Sequence, residues 1–215
     1  MPELSQFALY VAAALLLAIT PGPGIFYVAA RTLAGGRSEG IASSFGTGLG
    51  GMVHVVAGSL GVSAIVLASA ELFTALKLVG AAYLVWLGWR TFQVARRDAA
   101  NVLGGGAVEP AIGVARAFRE GVVVEALNPK TAAFFLAFIP QFVDGTGSVA
   151  LQFLMLGFVS VLLNTLADIV VAFAASGIRD GAAARPGLIR RLREGSGGAM
   201  IALGVGLALA KRPAT

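Results

Sequence analysis

Long apolar stretches, separated by brief polar connections, run the whole length of this chain. Residues 5–34, 41–68, 72–92, 119–140, 148–177 and 196–211 each approach or exceed the roughly 20 residues that a bilayer-spanning helix needs. The last is the shortest and is rich in glycine. Short connections fall at 35–40 and 69–71, and a longer one at 93–117 holds Gly104-Gly105-Gly106. Two of the six stretches are interrupted by proline motifs, Thr20-Pro21-Gly22-Pro23-Gly24 in the first and Asn128-Pro129-Lys130 in the fourth. The pattern predicts an all-α integral membrane protein of six transmembrane helices, with helices one and four broken at their proline motifs.

The breaks divide the sequence into comparable halves. Ile25-Phe26-Tyr27-Val28-Ala29-Ala30 follows the first break much as Ala132-Ala133-Phe134-Phe135-Leu136-Ala137 follows the second, and helix three (Gly80 to Gly88) matches helix six (Gly198 to Gly204) more loosely. One transport domain over 1–215 is expected, with a first repeat at 1–92, a cytoplasmic loop at 93–117 and a second repeat at 118–215. Three helices per half force the two repeats to be inverted in the membrane. Inverted repeats with broken helices meeting near the midplane describe many secondary transporters.

Composition supports lipid as the solvent. Of the 215 residues 57% are hydrophobic and only 13% charged, with a mean hydropathy of +0.85; soluble domains carry about 25% charged residues. The apolar run Tyr10–Ile19 follows Glu3 and no Lys or Arg, and it continues past Pro23, so it reads as a retained span and not as a secretory signal. The absence of cysteine excludes disulfides, thiolate metal sites and dithiol relays. A single histidine and no metal-ligand spacing leave no catalytic set, so neither an enzyme nor a cofactor or metal site is expected.

The net charge of +5 and pI of 10.2 reflect topology. Arg31 and Arg37 flank the first connection, Arg90, Arg96, Arg97, Arg116 and Arg119 the third, and Arg179, Arg185, Arg190, Arg191 and Arg193 the fifth. The other side has Lys77, Lys211 and Arg212. The positive-inside rule therefore predicts Arg-rich loops in the cytoplasm and both termini outside. It also argues against nucleic acid as a partner.

Proline lacks an N–H and frees the carbonyl four residues back. Pro21 and Pro23 release Leu17 and Ile19, and Pro129 releases Glu125. In lipid each such group costs several kcal/mol unless protein or water meets it. The half-helices that begin near Gly24 and Lys130 offer unpaired N–H groups and a positive dipole end, a seat for a carboxylate. Pro21, Gly22, Pro23, Gly24, Asn128, Pro129 and Lys130 are therefore the candidate substrate-binding residues. Lys130 lies about 16 Å into its span at 1.5 Å per residue, near the middle of a ~30 Å core. Asp168 and His54 lie at similar depth on other helices, and Glu125 one turn before the Asn128-Pro129-Lys130 motif. Intramembrane ionisable groups mark pathways or partners, so Asp168, Glu125 and His54 are the candidate proton-coupling residues. The plainer reading is structural, with Lys130 paired to Asp168 or Glu125 and His54 packed in the core. The glycines of helix two (Gly46, Gly48, Gly50, Gly51, Gly58, Gly61) lie inside an apolar span, where close helix packing explains them better than a dinucleotide loop. Tyr83, Trp86 and Trp89 read as packing or interface anchors.

Pro21-Gly22-Pro23-Gly24, Ala30-Arg31, Gly35-Gly36-Arg37, the run from Gly80 to Gly88, Asn128-Pro129-Lys130 and Phe138-Ile139-Pro140-Gln141-Phe142 together resemble the LysE/RhtB family of amino-acid exporters, over about residues 10–210. The resemblance implies a small bacterial inner-membrane carrier, homodimeric, that exports amino acids in exchange for protons or another coupling cation. Where many members carry an acid in helix two this chain has Gly51, and where the family often has Asn one turn before its Asn-Pro-Lys motif it has Glu125. The competing readings are a cation or small-ion permease of the same superfamily and a non-transporting membrane scaffold.

Overall fold

The apolar stretches become helices, and among the described residues there is no strand. A computed structural model describes residues 4–68, 110–144 and 147–181 continuously, with isolated helical positions from 71 to 93 and from 198 to 209. Helix α1 spans Leu4–Ile19 and α2 spans Pro23–Ala68. Helix α3 (Val114–Ala126) is followed after a two-residue break by α4 (Pro129–Ala133), which runs on through a π turn at Phe134–Phe138 and a 3-10 turn at Ile139–Phe142. Helix α5 spans Val149–Gly181. By length and composition, Pro23–Gly61 and Val149–Gly177 suffice to cross a membrane, and the bent pair Val114–Ala126 with Pro129–Phe142 is a third candidate.

Pro23–Gly61, at 39 residues, would be a rod of about 58 Å if straight, twice the hydrocarbon core. It is not straight. Gly36 adopts φ 80° and ψ −173°, a region essentially open to glycine alone. The two arms fold back on each other there. A Cβ placed on Gly40 would meet the Thr32 side chain, and one on Gly24 would come 3.7 Å from Thr47 Cγ2, so residues at nearly equal distances from Gly36 along the chain face each other. The connection expected at 35–40 thus contracts to one residue with helix on both sides. The break at 20–22 separates α1 from the first arm, as expected for a broken first span.

The fourth span starts earlier than the expected 119, at Val114. The reason is a turn at Gly113 (φ 84°) whose N–H, with that of Ile112, is held by the Glu39 carboxylate from the Gly36 turn at 2.7 and 2.8 Å. Its break is where the sequence puts it, with α3 and α4 meeting at 43°. The fifth span matches closely at its start, Val149 against 148, and runs four residues past 177. The third span (72–92), the sixth (196–211), the connection at 69–71 and most of the loop 93–117 lie outside the described residues apart from those isolated positions. So do Lys77, the Arg residues from 90 to 97 and those from 185 to 193.

The glycines of the second α2 arm serve two neighbours in turn. Gly46 and Gly50 lie so close to α3 that a Cβ would run into the carbonyls of Phe118 and Val122, while Gly48, Gly51 and Gly58 face Thr165, Val161 and Phe153 of α5. Gly61 faces open space. The expected close packing therefore holds for five positions on two faces. The core beside these contacts is aromatic, with Phe134 stacked on Phe138 at 4.8 Å and Tyr10, Val55, Phe135 and Phe153 around them. Leu9, Ile19, Val53, Leu60, Leu127 and Val170 point outward, as a lipid-facing surface requires. Trp86 and Trp89 are exposed as well, consistent with anchors.

Two substitutions test this frame. Gly36→Ala is expected to cost about 1–3 kcal/mol by forcing a side chain into a glycine-only region. Gly50→Val is expected to cost a similar ~1–3 kcal/mol by prising α2 from α3. Both are read as lower midpoints in thermal unfolding of the detergent-solubilised protein, with Gly61→Ala as the unaffected control.

Candidate functional site

The first break is built from a helix that runs out of donors. Thr20 N–H turns back to the Leu17 carbonyl at 3.1 Å and Thr20 Oγ1 donates to Leu16 at 2.6 Å. Pro21 then has no N–H to give, and Pro23 takes the first helical position of α2, where its missing donor costs nothing. The Leu17 and Thr20 carbonyls lie at the broken end, and a side chain from the other break reaches both. Lys130 Nζ donates to Leu17 O at 3.2 Å and to Thr20 O at 2.9 Å. Lys130 is buried. Gly22 makes room for its stem, since a Cβ there would sit 3.2 Å from Cδ, Cε and Nζ.

The second break follows the same rules. Asn128 caps α4, its Oδ1 accepting from Lys130 N–H at 3.0 Å, with Pro129 at the first helical position. The Glu125 carbonyl, released by Pro129, accepts from Asn128 N–H at 3.0 Å and from His54 Nε2 at 2.9 Å. The Glu125 carboxylate is buried and fully engaged, Oε2 by Asn128 Nδ2 at 2.9 Å and Oε1 by Thr131 Oγ1 at 2.6 Å. The plainer reading of His54 gains a specific content: it is the donor that closes the second break, with its ring against Phe135.

Asp168 of α5 lies fully buried beside these groups. Its Oδ2 accepts from Thr47 Oγ1 at 2.7 Å, while Oδ1 meets no donor. Asp168 and Lys130 each feel the other's charge and that of Glu125. The hydrogen bonds of Lys130 nonetheless run to carbonyls and not to either carboxylate. The three ionisable groups therefore form a cluster without a closed ion pair.

A cavity adjoins the cluster. Leu17, Thr47, Glu125, Thr131, Ser160 and Asn164 line it, with Phe134 and Phe135 as an aromatic wall. Its volume of ≈ 20 Å³ holds about one water. Among the described residues this space is too small for an amino acid, and a larger guest requires the helices to part. Across this space Tyr10 ties α1 to α5, donating to the Leu156 carbonyl at 2.7 Å and accepting from Ser160.

The structure brings Pro21, Gly22, Gly24, Asn128, Lys130, Glu125 and His54 into one neighbourhood, with Asp168 reached through Thr47. Sequence reading did not single out Tyr10, Thr47, Thr131, Ser160 or Asn164. Their signal was a lone hydroxyl or amide in an apolar span, which many packing residues share. It also missed Glu39 and Tyr27. Glu39 holds the start of α3, Tyr27 OH donates to the Ala117 carbonyl at 2.9 Å, and Arg31 Nη1 donates to the Pro110 carbonyl at 3.3 Å. Arg37 donates to Ser176 and covers the Phe173 ring at 4.7 Å. The Gly36 turn, the start of α3 and the end of α5 therefore share one Arg-rich end.

Broken apolar helices enclosing buried charge around a small cavity define a membrane transport protein. The LysE type translocator family model matches residues 15–211, and the chain belongs to that family. It is 30% identical over 203 residues to an uncharacterized membrane protein of Vibrio cholerae, covering 94% of this chain and 96% of the other. It is 31% identical over 157 residues to a homoserine/homoserine lactone efflux protein of Salmonella typhimurium, covering 72% and 73%. It is 28% identical over 141 residues to a leucine efflux protein of an Enterobacter strain, covering 65% and 64%. No solved structure matches it.

The role of His54 is open to direct measurement. His54→Ala removes one of the two donors on the Glu125 carbonyl, leaving the Asn128 N–H, and is expected to lower stability by about 0.5–1.5 kcal/mol. His54→Gln, which keeps an N–H donor, is expected to recover part of the loss in the same thermal assay.

Proposed function

We propose that this chain exports amino acids or close derivatives by secondary transport, with protons as the counter-ion. The observation that carries this reading is the meeting of the two breaks, where Lys130 of one reaches the Leu17 and Thr20 carbonyls of the other close to a small cavity. The relatives named for efflux of homoserine and leucine support the substrate class.

In this proposal Pro21, Gly22, Pro23, Gly24, Asn128, Pro129 and Lys130 form the substrate site. The substrate carboxylate meets the N–H groups that open α2, and its α-ammonium meets freed carbonyls. Asp168, with Glu125, takes up the counter-transported proton, and the unpartnered Oδ1 of Asp168 is the atom available to it. The six spans form two inverted repeats, and rocking one against the other exposes the site alternately. The Arg-rich end is the cytoplasmic one and both termini lie outside.

Cells loaded with amino acids through dipeptide uptake are expected to accumulate less of at least one amino acid when this chain is expressed. Equal accumulation across a panel that includes homoserine, threonine, leucine and lysine overturns the export reading. Asp168→Asn is expected to carry substrate down its own gradient in proteoliposomes while losing the response to an imposed pH gradient. Export by that variant with the wild-type pH response removes Asp168 from coupling.

A further inference from the structure

The first break is a receptor with two poles. The Leu17 and Thr20 carbonyls end α1, and three residues on, the first turn of α2 presents N–H groups that have no partner inside the helix. A zwitterion with its ammonium at one pole and its carboxylate at the other fits such a site. The ammonium pole is already addressed by a charged side chain of this chain. The Lys130 ammonium, which like an α-ammonium carries three donors, sits on the two carbonyls at 3.2 and 2.9 Å. The Glu125 carboxylate lies near the other pole, since a Cβ placed on Gly24 would come 2.6 Å from its Oε2, but its two oxygens are held by Asn128 and Thr131 of its own break.

We infer that Lys130 is an internal stand-in for the substrate's ammonium, filling its seat at the first break in most empty carriers. This rests on the export reading above and gives Lys130 a task beyond simple attraction of the substrate. The arriving amino acid displaces Lys130 from Leu17 and Thr20 and takes its place. When it leaves, Lys130 returns, and the break is satisfied again. The substitution sets one ammonium in place of another on the same two carbonyls. An empty carrier whose broken carbonyls are met can close and cross back. One whose carbonyls are bare pays the cost of a buried unmet acceptor at each return.

The inference makes opposite predictions for two modes of transport. Net efflux needs the empty carrier to return, whereas exchange of labelled for unlabelled substrate returns it loaded. In proteoliposomes Lys130→Met is expected to lose net efflux while retaining exchange. Its equilibrium affinity for substrate is expected to tighten by about tenfold, as follows from removing a competitor that holds the seat about nine-tenths of the time. Weaker binding, or loss of both modes in parallel, overturns the inference and returns Lys130 to a direct substrate contact or a purely structural role. Gly22→Ala crowds the lysine stem without removing its charge, and is expected to shift binding in the same direction more mildly.

A second measurement does not depend on export. Lys130→Ala leaves an open ammonium seat, so methylammonium is expected to raise its thermal midpoint relative to sodium at equal ionic strength, and to leave the wild type unchanged. Equal responses of variant and wild type overturn the seat. If the wild type carries no amino acid of the panel while methylammonium still rescues the variant, the export reading fails and the cation seat stands.

Discussion

The carbonyls at the two breaks have to find donors without help from bulk water, and that constraint organises the protein. Leu17 and Thr20 are met by Lys130, Leu17 also by the Thr20 N–H, and Glu125 by His54 and the Asn128 N–H. Each break thus joins a local N–H to a donor from far along the chain. Lys130 reaches across 110 residues of sequence and His54 across 71. The breaks are thereby welded to each other and to the second arm of α2, and the buried charges follow from the repair. An ammonium is a strong donor for two carbonyls at once, but it brings a charge into the core, and Glu125 and Asp168 supply the opposite sign nearby.

Glycine provides the geometry in which these long-range repairs are possible. Gly36 folds α2 on itself, and Gly46, Gly48, Gly50, Gly51 and Gly58 bring α3 and α5 against its second arm. This closeness places Thr47 beside Asp168 and His54 beside the second break. A bulkier α2 would hold the helices apart and leave the same ionisable groups stranded without partners.

The sequence was a good guide to what depends on local chemistry. Proline and glycine marked both breaks, and apolar length marked the described spans to within a few residues. The early start of α3 was hidden because it rests on Glu39, a residue from a distant turn that ordinary charge counting treats as surface. Lys130, Glu125, Asp168 and His54 were legible because ionisable groups are conspicuous in apolar helices. Their partners were not. Whether an ammonium meets a carboxylate or a carbonyl depends on helix rotation and approach, and periodicity fixes neither. Thr47, Tyr10 and Ser160 act through single hydroxyls, which a reading of charge and breakers passes over.

One asymmetry in the packing has a mechanical meaning. The second arm of α2 lies against the backbone of α3 through Gly46 and Gly50 and against side chains of α5 through Gly48, Gly51 and Gly58, and the three helices form one close-packed wall. Helix α1 contains no glycine at all and turns much of its surface outward. Its polar links to the rest sit near its two ends of contact, the Tyr10 hydroxyl on α5 and the Lys130 ammonium at the break. It resembles a barrel stave held by two pegs. Pulling the lower peg swings that stave while the wall stays fixed, so the first helix is the part of this molecule built to move.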